Sequence, residues 1–196
     1  MIRNESSVLN HYQAMELAVS ALLIEKGYFT EEDMVAEINA MEKRTPEIGA
    51  AVVARAWVDA EFKERLIEDG TAACESIGLD MGPTRLMVVE STNEVHNVIV
   101  CTLCSCFPRM LMGIPPDWYK SENYRSRVVR EPRAVLKEFG TVLPDGISVR
   151  VHDNTADMRY LVLPRRPDGT EGMSQEELAK LVTRNSMIGV AIVEAP

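Results

Sequence analysis

Val100-Cys101-Thr102-Leu103-Cys104-Ser105-Cys106 carries three of the chain's four cysteines within six residues. The run in front of it, Val95-His96-Asn97-Val98-Ile99-Val100, is β-rich, and Pro108 follows soon after. The stretch therefore reads as a loop delivered by a strand, where main-chain amides are not already committed to a ladder or a helix. Sulfur at this density needs a chemical reason. Structural zinc and iron–sulfur sites ask for four side-chain ligands. The loop has three, so the fold would have to add Cys74 from a helical-looking segment or His96 from the strand, and His96 reads more simply as a packing residue. A disulfide is a further option, although the cysteine-poor remainder and the absence of a signal peptide in Met1-Ile2-Arg3-Asn4-Glu5-Ser6-Ser7 point to reduced thiols.

The tripeptide Cys104-Ser105-Cys106 allows another arrangement. If the amides of Ser105 and Cys106 lose their protons, a metal held by them and by the sulfurs of Cys104 and Cys106 closes one six-membered and two five-membered chelate rings in a plane. Cys101, across the Thr102-Leu103 turn, can supply a sulfur from below, which leaves the vertex above open. Amidate and thiolate donors favour a small trivalent ion, cobalt(III) or iron(III), over zinc. The open vertex is where a Lewis acid would act on a substrate or on water. A zinc-structural or redox binding module remains the non-catalytic alternative.

Val100 to Cys106 also resembles the metal-claw motif of nitrile hydratase alpha subunits. Segments further on resemble the same family in the same order: Gly113 to Lys120 (GIPPDWYK), Tyr124 to Arg133 (YRSRVVREPR), Arg159 to Pro164 (RYLVLP), Arg166 to Gly172 (RPDGTEG) and Met187 to Ala191 (MIGVA). The likeness covers most of the chain and is strongest from about Glu90 onward. It implies a cobalt enzyme, since threonine at Thr102, rather than serine, marks the cobalt type. It further implies a sulfinic acid at Cys104, a sulfenic acid at Cys106 and a plain thiolate at Cys101. By this resemblance Cys104, Ser105 and Cys106 are the catalytic residues, and Cys101, Cys104, Ser105 and Cys106 the metal ligands. The expected reaction is hydration of a nitrile to an amide, with a beta subunit of one or two chains and a cobalt-loading activator protein as partners. The metal-bearing gamma subunit of thiocyanate hydrolase is closely similar and is the competing enzyme. After the claw, Cys106-Phe107-Pro108-Arg109 puts Arg109 where many relatives carry tryptophan, which makes Arg109 a candidate substrate-pocket residue suited to a polar nitrile or to thiocyanate. Gly82-Pro83-Thr84-Arg85 lacks a glutamine common in that segment of the family.

Outward from the claw, the chain divides into a helical part and a mixed part. At 196 residues and 46% hydrophobic it can bury a full core. Its net charge of −9 argues against nucleic-acid or anionic-membrane partners, and no stretch is apolar for long enough to span a bilayer. A soluble, cytoplasmic protein is expected. In residues 1–80, Leu9, Met15, Leu17, Leu22 and Leu23 lie in a helical run closed by Gly27. Thr30 caps a second helix with Phe29 and Met34 as its staple. A third carries Ala51, Val52, Val53, Ala56 and Trp57 after Pro46, broken by Asp59 or Gly70. Apolar residues at this helical spacing read first as core. The resemblance to nitrile hydratase, built from intertwined alpha and beta chains, implies instead that residues 1–80 form an N-terminal helical arm contacting another subunit, followed over residues 81–196 by the metal-binding domain.

In that second part, strands are expected at Leu86–Glu90, Val95–Val100, Ile147–Val151 and Arg159–Leu163, and Gly189–Val193 is expected as a last one. Asp117 should cap a helix starting at Trp118, and Pro132 should start one that runs to Gly140. Ser174-Gln175-Glu176-Glu177 is a capping box for a final helix closing at Asn185. The fold class is α+β, an N-terminal helical arm followed by a layered α-β-β-α globular domain. Arg125, Arg127, Arg130 and Arg133 form the one concentrated positive stretch, read either as a solvated face or as ion pairs toward the partner or the claw. Asp153, Asp157 and Asp168 read as ordinary loop acids. No nucleophile elbow, phosphate loop or His-Glu-x-x-His sequence is present.

Overall fold

The structure is a computed structural model and describes residues 10–196. Leu9 and the segment Met1–Ser7 lie outside the described residues. By contacts the chain falls into two units, Met1–Glu42 and Lys43–Pro196.

The first unit contains α1 (His11–Glu25) and α2 (Glu31–Glu42). Asn10 and Gln13 form a reciprocal capping box at the start of α1. Gly27, at φ +72°, turns the chain just beyond its end. Thr30 and Asp33 bond each other's main-chain N–H at the start of α2, as the threonine cap requires. Neither helix has a buried residue.

The second unit begins with α3 (Pro46–Val58), α4 (Ala60–Glu68) and α5 (Gly70–Glu75). The expected break after Trp57 occurs twice, because Asp59 and then Asp69 leave the helical region and cap the next helix through their side chains. Val52, Val53, Ala54 and Ala56 of α3 are buried with Phe62 and Leu66 of α4. These three helices, although they lie in the stretch read as the arm, pack with the metal-bearing part: α4 and α5 lie against the first strand, and α3 against helices that follow later in the chain.

The strands are β1 (Arg85–Glu90) and β2 (Val95–Val100). After the cysteine loop come α6 (Arg109–Met112), α7 (Asp117–Lys120), α8 (Glu122–Arg127) and α9 (Pro132–Glu138). The chain then forms β3 (Ser148–Asp153), β4 (Met158–Leu163), α10 (Gln175–Leu181) and α11 (Arg184–Ile188). β1 and β2 follow one another closely yet do not pair. β1 pairs in parallel with β4, in a register that sets Arg85 beside Met158 and Glu90 beside Leu163. β2 pairs in parallel with β3, Val95 beside Ser148 and Val100 beside Asp153. Burial of β2 from His96 to Val100 fits a parallel strand covered on both sides. Helix α9 lies against β3, and α11 against β2 and β4, in keeping with the mixed, layered α+β class.

Two local expectations are corrected. The helix after the Ser174 capping box ends at Leu181, and Thr183 caps a new helix in which Asn185 is an interior residue. Gly189–Val193 is not a strand. Gly189 ends α11 at φ +91°, and a Cβ there would lie 2.0 Å from the Asn97 carbonyl oxygen of β2. The tight approach to β2 replaces pairing with it. Asp117, expected as a cap, is the first residue of α7 and makes no side-chain cap, with Pro116 before it. The Arg166–Gly172 segment is fixed to α3: Arg166 Nη1 donates to the Trp57 carbonyl at 3.2 Å and Trp57 Nε1 to the Pro164 carbonyl at 2.9 Å.

Candidate metal centre

The cysteine loop leaves β2 at its buried end, and the parallel register of β2 with β3 decides what surrounds it. Val100 lies beside Asp153, so the carboxylate of Asp153 reaches the first turn of the loop. It accepts from the Thr102 main-chain N–H at 2.9 Å and from the Thr102 hydroxyl at 2.5 Å. The next residue, Asn154, donates its N–H to the Val100 carbonyl at 2.7 Å and extends the ladder past the strand end. Asp153 is therefore no ordinary loop acid. Only the pairing partner of β2 could reveal that, and local pattern does not give it.

Helices α7 and α8 take up the loop's carbonyl oxygens. Tyr124 Oη donates to Ile99 O at 2.7 Å. Arg125 donates through Nε to Cys101 O at 3.0 Å and through Nη2 to Thr102 O at 2.7 Å. Tyr119 Oη donates to Cys106 O at 3.0 Å. The two readings of the arginine stretch thus divide among its members. Arg125 grips the loop's main chain, Arg127 pairs with Glu131 and Glu138 at the surface, and Arg133 donates to the carbonyls of Leu143 and Pro144.

With carbonyls occupied by neighbours, the sulfurs converge. The Sγ atoms of Cys101 and Cys104 are 3.4 Å apart and those of Cys104 and Cys106 3.2 Å, and all three lie within 4.8 Å of one another. Cys101 is buried, Cys106 half-buried and Cys104 exposed, so the cluster opens to one side. The Cys104 N–H donates to Cys101 Sγ at 3.2 Å. Hydrogen bonds from Cys106 and Cys101, and then from the main-chain amides of Cys106 and Ser105, push the Cys104 thiol down to about 7. The Cys106 thiol is pushed up to about 11 by burial and by its bond to Cys104, with the Arg159 charge opposing. The amides of Ser105 and Cys106 face sulfur, and among the described residues neither donates to a main-chain carbonyl.

That arrangement suits a metal that takes amide nitrogen as well as thiolate. It does not suit four-ligand zinc, because neither candidate fourth ligand is in the cluster. Cys74 is buried in α5, its thiol pushed up to about 12 by burial. His96 Nε2 is 2.7 Å from the Gly189 carbonyl, and burial lowers its pKa. Arg109 is exposed at the first position of α6, and the cation that acts on the Cys106 sulfur is Arg159. Sequence reasoning quoted Arg159 only inside a motif and assigned it no role. Tyr119 and Asn154 were also missed, and their only local signal is membership of a motif or of a strand end.

The family model of the nitrile hydratase alpha chain matches residues 10–191. The chain belongs to this family. It is 48% identical to the cobalt-containing nitrile hydratase subunit alpha of Pseudonocardia thermophila, with 98% of this chain and 96% of that protein covered. It is 41% identical to the thiocyanate hydrolase subunit gamma of Thiobacillus thioparus, over 94% and 81% respectively. Among solved structures, a double mutant of the Fe-type nitrile hydratase from Comamonas testosteroni Ni1 superposes with a TM-score of 0.88 at 44% identity, covering 96% of this chain and 94% of that one. Nitrile hydratase alpha chains thus share the fold over nearly the whole length.

Proposed function

We propose that the chain is the metal-bearing alpha subunit of a cobalt nitrile hydratase, which adds water across a carbon–nitrogen triple bond to give an amide. The observation that carries this reading is the convergence of the Cys101, Cys104 and Cys106 sulfurs on a loop where, among the described residues, the Ser105 and Cys106 amides donate to no main-chain carbonyl. Cys101, Cys104 and Cys106 hold the ion through sulfur, and Ser105 and Cys106 through amide nitrogen. Cobalt(III) is the ion and iron(III) the alternative. When bound, the ion supplies Lewis acidity at one open position.

The chain's own residues do the rest. Buried Cys101 holds the closed side, while Cys104 and Cys106 edge the open one. Cys104 is carried as sulfinic and Cys106 as sulfenic acid, and the Cys106 oxygen serves as base or nucleophile toward the nitrile carbon. The Ser105 hydroxyl hydrogen-bonds what occupies the open side. Arg125 and Asp153 fix the loop's first turn so that these groups hold still.

A beta subunit completes the enzyme, and the helical arm within residues 1–80 is its contact region. An activator protein loads the cobalt, and the complex works in the cytoplasm. No helix of the described residues is long and apolar enough to cross a membrane.

Metal analysis with intact mass of the purified complex tests the reading. Cobalt, with the added oxygens of a sulfinic and a sulfenic acid on the claw peptide, is expected. Stoichiometric zinc on unmodified thiols would make this a structural or redox module instead. Arg109 favours a second substrate, thiocyanate, because an exposed cation follows the claw closely in sequence and in α6. Turnover of neutral nitriles against thiocyanate, before and after Arg109→Trp, separates the two. An unchanged preference removes Arg109 from the pocket.

A further inference from the structure

We infer that Tyr119 and Asn154 form a positioning clamp that fixes both ends of the cysteine loop and so presets the metal's donor atoms. The inference rests on the functional reading above and goes beyond it, because neither residue is a ligand.

Asn154 uses its main-chain N–H and both side-chain polar atoms. Its main-chain N–H donates to the Val100 carbonyl at 2.7 Å, at the loop's beginning. Its Nδ2 donates to Tyr119 Oη at 2.8 Å, and Tyr119 Oη donates to the Cys106 carbonyl at 3.0 Å, at the loop's end. Its Oδ1 accepts from the Tyr160 N–H at 2.6 Å. That last bond decides the direction of the chain of bonds. With Oδ1 turned to a main-chain donor, the side-chain atom facing Tyr119 must be the NH₂ group, which can only donate. The phenol oxygen therefore accepts from Asn154, and its single proton goes to Cys106 O. Every hydrogen in the series is directed without ambiguity.

Burial makes the clamp stiff. Tyr119 is 0% and Asn154 2% exposed, so water cannot replace a lost bond, and an unpaired carbonyl there is costly. The Tyr119 ring is fixed by edge contacts with Phe107 and Trp118. Phe107 directly follows Cys106, so ring and hydroxyl hold neighbouring residues of the same segment. Together these bonds set the span from Val100 to Cys106 before any ion arrives, which lowers the reorganisation the loop must undergo to bind one.

The test uses the complex of the full chain with its partner, loaded with cobalt. Tyr119→Phe deletes one oxygen and leaves the ring. Asn154→Asp keeps the acceptor for Tyr160 but offers Tyr119 an acceptor, so the phenol proton turns away from Cys106. Each variant is expected to lose cobalt to a chelator roughly 10–100-fold faster than wild type, the usual scale for groups behind metal ligands, and to shift the sulfur-to-metal charge-transfer absorption. The double variant should lose less than the two single effects combined, because both break the same chain. Thermal melting of the metal-free complexes reports folding independently. A folded Tyr119→Phe complex with wild-type cobalt retention and spectrum overturns the inference. If Tyr119→Phe does not fold, the same two readouts on Asn154→Asp decide. Wild-type complex that binds no cobalt would instead overturn the functional reading itself.

Discussion

Helices α1 and α3 are both rich in apolar residues, yet only one of them has a core. In α3, Gly49, Ala50, Val52, Val53, Ala54 and Ala56 are buried. In α1, Met15, Leu17, Val19 and Leu22 are about half exposed or more, and no residue is buried. The two helices are equally well started, α1 by an Asn10–Gln13 capping box and α3 by Pro46 in its first turn. Local sequence therefore suffices to make a helix, and burial depends on what the rest of the chain offers it. Exposed leucines and methionine on α1 are what a helix would carry whose covering surface belongs to another chain, consistent with the proposed subunit contact.

Core truncation gives the largest contrast. Leu66→Ala, in a fully buried position, should cost roughly 2–5 kcal/mol, read as a lowered urea midpoint of the isolated chain. Leu17→Ala on α1 should change the stability read from that midpoint by less than about 0.5 kcal/mol, while weakening association with the partner. Equal losses at both sites would abolish the distinction between the units. Gly189→Ala sharpens it from the backbone side, since a left-handed residue meets the Asn97 carbonyl. Strain and overlap together should destabilise by about 2–4 kcal/mol. Gly27→Ala, also left-handed but with open space around its Cβ position, should cost only the smaller conformational part, about 1–2 kcal/mol. Removal of the caps is a smaller effect. Asp59→Ala should lose about 1 kcal/mol of chain stability, and Asn10→Ala should fray α1 in hydrogen exchange with little change in the global midpoint.

A gradual pH effect near neutrality is expected from two histidines of the second unit. Burial lowers the pKa of His96 and of His152 below the ordinary histidine value of 6.5. The unfolded chain then binds more protons than the folded one as pH falls through that value. The contribution of these neutral histidines is present above it and is lost below it. The urea midpoint should therefore fall between pH 7.5 and pH 5.5, and His96→Gln should flatten the slope.

What could be read in the sequence was what is local. Thr30 with Asp33, Ser174 with Glu177, the left-handed Gly27 and the four strands were all recognisable within a few residues of chain. So were the three clustered cysteines, because ligand spacing is itself a short-range property. The long-range relations were not. β1 and β2 look like neighbours and instead pair with β4 and β3, and that exchange carries Asp153 and Asn154 to the loop. Asn185 looked like a helix end, but Val182 and Thr183 break the helix earlier and restart it. Gly189 to Val193 has the composition of a strand, and the approach of Gly189 to Asn97 rules that pairing out.

X-ray absorption at the metal edge of the loaded complex is the most direct test of the metal centre. Nitrogen and sulfur together in a six-coordinate shell are expected, and the nitrogen contribution should persist in His96→Gln. A four-coordinate shell of sulfur or imidazole alone, or nitrogen that disappears with His96, would contradict the use of the Ser105 and Cys106 main chain.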